Sequence, residues 1–170
     1  MRNSNLSKHI GFTLVELMVT LAIIGIVAGL SAPSMKEMIQ TNRIATQARE
    51  FITALNFARS EAVNRKTIVS MAATDGSNWA NGWQVWLDTD GSGTVNGSET
   101  ELQTYAKLDN FTLAGTSNTT LVRFDSSGFV DAPSFIVNFS LELTGCSVDN
   151  RTITLNLSGR ATVQTLTCTP

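Results

Sequence analysis

A chain of 170 residues with a formal charge of −2 has room for one domain of ordinary size and a short accessory segment. Acids outnumber bases 14 to 12, which removes the basic footprint expected of a general nucleic-acid binder. The single histidine, His9, lies in the opening leader, so a chain that loses its leader keeps no imidazole for acid–base catalysis or metal ligation. Such a chain reads as an enzyme's substrate and not as an enzyme.

The leader, MRNSNLSKHIG, carries Arg2 and Lys8 and no acid. Phe12 to Ala32 then runs for 21 residues with Glu16 as its only ionisable group. As a helix this run would cover roughly 31 Å, the thickness of one hydrocarbon core. The basic leader orients its own side towards the cytoplasm. A simple membrane anchor and a secretory signal peptide are the plain readings. No small-residue cleavage site follows the run, which argues against the second. Neither explains Glu16, because a carboxylate deep in a bilayer costs roughly 2.5–3.5 kcal/mol.

Cleavage after Gly11 would explain it. Phe12 would become the new N-terminus, and its amine would lie at nearly the depth of Glu16. The two could meet within one helix at i and i+4, or between neighbouring chains shifted along an axis. Mutual neutralisation relieves the burial cost that each charge bears alone.

The motif GFTLVE, continued by this apolar run, resembles the class III prepilin signal of type IV pilins and type II secretion pseudopilins. The resemblance implies cleavage between Gly11 and Phe12 by a prepilin peptidase and N-methylation of Phe12. It makes Glu16 the fifth mature residue and Pro33 the helix-bending proline. It implies an α+β pilin-like fold, in which a long N-terminal helix packs on an antiparallel β domain. The expected division is a leader at 1–11, a membrane and filament-core helix at 12–32, an amphipathic continuation at 33–66 and a β-rich domain at 67–170. Gly25 and Gly29 form a Gly-xxx-Gly face where a second helix could approach closely.

Beyond Pro33, the residues Ala45, Ala48, Ile52, Leu55, Ala58 and Ala62 recur at three- and four-residue steps, with Phe51 and Val63 widening the stripe. This predicts an amphipathic helix to about Lys66. The period then becomes alternating. Thr67–Ala73, Trp83–Asp88, Leu121–Phe124 and Phe135–Leu143 read as strands, the last with Phe135, Val137, Phe139, Leu141 and Leu143 on one face. TITLNL and ATVQTLT flank Ser158-Gly159-Arg160, a predicted hairpin turn. Trp83 and Trp86 lie three apart in a strand and so face opposite sides, which disfavours a stacking platform and suggests one in the core and one at a subunit contact.

Helix end and strand together, ARSEA at Ala58–Ala62 followed by Gly82-Trp83 and the acidic turn at Asp88 and Asp90, resemble the GspH/FimT branch of this superfamily. That resemblance implies a minor pilin in a priming or tip complex of a type IV pilus, serving twitching motility, adhesion or natural transformation. Its expected partners are other minor pilins, the major pilin, the prepilin peptidase and the inner-membrane assembly platform. It implies a single-pass inner-membrane precursor with a periplasmic C-terminus, moving to a surface pilus on assembly. A type II secretion pseudopilin would share every one of these motifs.

Three further features stand beside that reading. Cys146 and Cys168 are an even pair in a segment expected to reach an oxidising compartment, where a disulfide is expected and two free thiols are the alternative. Asp88–Glu99, DTDGSGTVNGSE, fits the twelve-residue EF-hand calcium loop, with Asp88, Asp90, Ser92, Asn96 and Glu99 at oxygen-bearing places, Thr94 offering a carbonyl and Gly93 at the sharp turn. A strand precedes it where an EF-hand needs a helix, so a metal-free Asp/Gly-rich turn is the preferred reading, with Ca2+ the candidate ion otherwise. Some FimT-type relatives bind DNA through Gly-Arg-x-Arg. Here Gly159 and Arg160 are followed by Thr162 in place of the second arginine, which leaves DNA as a secondary expectation.

Overall fold

The computed structural model describes residues 11–97, 99–145 and 148–167, and only the backbone at 30–33. One helix, α1, spans Leu14–Arg65. Nine strands follow: β1 Val69–Ala73, β2 Trp83–Leu87, β3 Thr100–Tyr105, β4 Phe111–Gly115, β5 Leu121–Phe124, β6 Val130–Ala132, β7 Val137–Leu143, β8 Asn150–Leu155 and β9 Ala161–Leu166. The chain divides into two compact units between Met38 and Ile39, a boundary that falls inside α1.

In the first unit the helical backbone runs through position 33 without a break. The side chain of Pro33 lies outside the described residues, as do Cys146 and Cys168.

In the second unit α1 buries Ile44, Ala48, Phe51, Leu55, Ala58 and Ala62, stepping by four and three. All of these but Ile44 lie on the expected stripe, whereas Ala45 and Ile52 are only half-buried and Val63 is exposed. Phe51 lies at the centre of the buried line. Its ring meets Trp79, Trp83 and Phe139 edge-on, with centroids 5.4, 5.1 and 4.8 Å away. The helix then stops at Lys66, which takes a left-handed φ of 53°, and the Thr67 N–H reaches back to the Ala62 carbonyl at 3.2 Å. That is a Schellman closure, with lysine standing where glycine is usual.

The strands form two antiparallel sheets, β3-β2-β1-β5-β6 and β4-β7-β8-β9. Three of these strands were not expected. β3 is an edge strand of polar residues, β4 is brief, and β6 has three residues, so none carries a long alternating signal. In β7 the expected face is buried from Val137 to Leu143, whereas Phe135 precedes the strand and is exposed. The core joins both sheets to the helix, with Val69, Met71, Trp83, Val85, Val122 and Phe124 on one side and Leu113, Phe139, Leu141 and Ile153 on the other.

Trp83 and Trp86 do differ in surroundings, since only Trp83 belongs to the main core. The expected subunit contact is corrected, because Trp86 is buried within its own chain at 1% exposure. It pairs with Ser70 across β1–β2, on the face opposite the core. Phe51 sits among three rings and loses them all on truncation. Phe51→Ala should therefore destabilise the detergent-solubilised full chain by about 3–5 kcal/mol, read as a lowered denaturation midpoint.

Candidate functional site

Gly11, Phe12 and Thr13 precede the helix as irregular backbone. Thr13 caps it: the Glu16 N–H donates to Thr13 Oγ1 at 3.2 Å, and the Leu17 N–H donates to the Thr13 carbonyl at 3.2 Å. Thr-x-x-Glu is the spacing of a capping box, a signal present in the sequence that membrane-based reasoning passed over. Glu16 thus sits in the first turn, where the helix dipole favours an anion. In this uncleaved chain Phe12 lies ahead of the helix, outside its i, i+4 register.

The residues that follow are apolar on every side and bare of protein. Phe12 is 80% exposed, and Leu14, Leu17, Leu21, Ile24 and Val27 are exposed with it. A helix apolar all round belongs in lipid or among other helices. The segment is long and apolar enough to cross a membrane, and none of its most apolar stretch is buried within the described residues. Gly25 and Gly29 share one face, and a Cβ built on either meets no atom within 4 Å.

The second cluster is the loop joining β2 to β3. Leu87 pairs with Thr100, so the strand ladder places Asp88 and Glu99 at the two feet of the loop. Asp88 is fully buried. Its Oδ2 accepts from Ser70 Oγ at 2.6 Å and from the Gly93 N–H at 3.0 Å, while its Oδ1 has no hydrogen-bond partner. Asp90 accepts from the Ser92 N–H and from Asn96 Nδ2, each at 2.9 Å. Glu99 Oε2 accepts from the Asn96 N–H at 3.1 Å, and its Oε1 is buried without a partner. Ser92 Oγ turns to the Thr94 carbonyl at 3.1 Å. Gly93 has φ +71°, and a side chain there would strike Leu121.

The electrostatics of the three carboxylates differ. Hydrogen bonds from Ser92 hold the Asp90 carboxyl below its usual range. Burial pushes that of Glu99 up, the Asn96 N–H partly offsets this, and the charges of Asp88 and Asp90 add to the rise. One oxygen from each of Asp88, Asp90 and Glu99 lies within 4.8 Å of the others. The three carboxylates among the six residues expected to ligate an ion thus stand together, and Ser92, Thr94 and Asn96 make hydrogen bonds within the same loop.

Arg160 is exposed at the tip of the β8–β9 hairpin. Its neighbour Gly159 has a packing role: at φ +76°, any Cβ there would collide with the Gly128 carbonyl and with Arg59. Arg59 in turn donates from Nε to that same carbonyl at 2.9 Å.

An apolar helix that starts beside a Gly-Phe bond and buries its later turns against antiparallel sheets defines a type IV pilin-like subunit. The chain belongs to the family described as type II transport protein GspH, whose model matches residues 47–159. The prokaryotic N-terminal methylation motif matches residues 6–32. Two crystal forms of the type IV minor pilin FimU from Pseudomonas aeruginosa share the fold. The P21 form has 21% identity and a TM-score of 0.64, covering 75% of this chain and 92% of that one. The P65 form has 21% identity and a TM-score of 0.60, covering 71% and 91%. Comparison with curated proteins gives no match.

The packing of Gly159 separates it from Arg160 in a test. Gly159→Ala should lower stability by about 2–4 kcal/mol through strain and collision. Arg160→Ala should stay within about 0.5 kcal/mol of the parent. Denaturant titration of both variants measures the difference.

Proposed function

We propose that this chain is a minor pilin, a structural subunit of a priming or tip complex that starts type IV pilus assembly. The observation that carries the reading is the unburied apolar segment from Phe12 to Val27, with Glu16 in its first turn, directly after Gly11. Burying a large apolar side chain contributes about 1.5–3 kcal/mol, so a row of them at this exposure calls for lipid first and neighbouring pilin helices later.

In this reading a prepilin peptidase cuts the exposed Gly11–Phe12 bond and the Phe12 amine is methylated. The assembly platform of the inner membrane then passes the subunit from lipid into contact with other minor pilins and the major pilin. In the membrane the new ammonium of one chain compensates the Glu16 carboxylate of its neighbour, which sets the axial register. The bare face at Gly25 and Gly29 admits an adjoining backbone. The β-rich domain supplies lateral contacts outside the membrane and is not a catalyst.

A second reading, a type II secretion pseudopilin, is favoured by the family match over residues 47–159. Deletion separates the two, since a pilin loss abolishes pili and a pseudopilin loss abolishes secretion.

The processing claim is checked by intact mass of the membrane-extracted protein, which should lack residues 1–11 and carry one added methyl group. Glu16→Ala should still enter the membrane, yet its co-purification with partner pilins should fall more than about a hundredfold, because stranding one member of a buried ion pair costs about 3–5 kcal/mol. Undiminished co-purification would rule out the register role.

A further inference from the structure

We propose that the β2–β3 loop is a calcium site, built from the carboxylates of Asp88, Asp90 and Glu99. An EF-hand brings the ends of its loop together with two helices. Here a strand ladder does that job: the Leu87–Thr100 pair sets the loop's first and last residues across from one another. Like charges placed opposite across a strand pair repel. Among the described residues no ion pair reaches these three side chains, and Arg123, the cation that braces the loop through the Gly91 carbonyl, is paired with Asp131 at 2.8 Å.

The orphaned atoms point to what is held. Asp88 is wholly buried with Oδ1 unpartnered, and Glu99 Oε1 is likewise buried and unpartnered. A buried, bare carboxylate oxygen leaves its desolvation unrelieved unless a proton or a cation joins it. Both side chains belong to the three-carboxylate group in which one oxygen from each residue lies within 4.8 Å of the others. Oxygens gathered this closely can converge on one ion, and calcium, unlike magnesium with its tightly held waters, is commonly held by cages of protein oxygens. The donor set is all oxygen, with no thiolate or imidazole to select zinc or copper. Hydrogen bonds hold the set in place: Ser70 and the Gly93 N–H donate to Asp88 Oδ2, the Asn96 N–H donates to Glu99 Oε2, and Ser92 and Asn96 each donate to one Asp90 oxygen, which keeps a lone pair for an ion. Calcium's further ligands would be water and the nearby loop.

The test uses the full chain in detergent, stripped with a chelator and titrated with calcium chloride. Calorimetry should find one ion per chain, and melting should rise by about 5 °C at saturating calcium, with magnesium much weaker. Terbium bound in the same place should luminesce on excitation of tryptophan, since Trp86 is buried two residues before Asp88. Glu99→Gln preserves shape and the bond from Asn96, so it should remain folded and lose both calorimetric binding and the melting shift. Asp90→Asn should do the same. A folded parent whose melting is identical in calcium and in chelator overturns the proposal. So does binding that survives unchanged in both variants, which would place the ion elsewhere. A proton shared by Glu99 and Asp88 would show itself as the first of these outcomes.

Discussion

The edge-on contacts of Phe51 with Trp79, Trp83 and Phe139 are the interaction on which the folded unit turns. Trp83 belongs to the first sheet, Phe139 to the second and Phe51 to the helix, so one ring bonds the three layers at a single point. Trp79 also lies 5.5 Å from Phe139, which closes the group, and its Nε1 donates to the Thr119 carbonyl at 2.6 Å. The ring pairs add about 0.5–1.5 kcal/mol each to their burial and, being directional, select one rotation of the helix. Small residues at Ala48, Ala54, Ala58 and Ala62 let the same helix sit close to the strands on either side of that point.

Much of this was readable from residue order. The Gly-Phe-Thr-x-x-Glu opening, the apolar run and the change of period near Lys66 gave the helix and the start of the β region. Leu121–Phe124 was found residue for residue, and β7 within two residues of its start. What escaped notice has physical causes. β3 is an exposed edge with no apolar alternation, so its place depends on pairing with β2 and not on its own composition. The register shift between Val85 and Trp86, and the covering of Trp86 on the far face, are tertiary facts that a period of two cannot express. The helix stripe was legible at Ala48, Phe51, Leu55, Ala58 and Ala62, and missed only at its margins, where Ile44 rather than Ala45 meets the core and Ile52 and Val63 are not fully buried.

For the candidate sites the balance was similar. The acidic loop was legible as a pattern, and the structure sets it in a hairpin between β2 and β3 in place of flanking helices. The burial of Asp88 beneath Ser70 could not be read, since those residues are 18 apart and meet only through the β1–β2 register. Thr13 was legible and was overlooked. Gly159 was legible only as a hairpin turn and as part of a Gly-Arg pair, and its packing against Gly128 and Arg59 is a tertiary fact.

Because the ladder, rather than the intervening chain, fixes the distance between the two feet of the acidic loop, the count of residues between them is free to drift. Relatives with longer or shorter connections could keep the same pair of carboxylates facing each other. A scan for a fixed twelve-residue pattern would miss them, whereas a search for an acid on either side of the last β2–β3 rung would not.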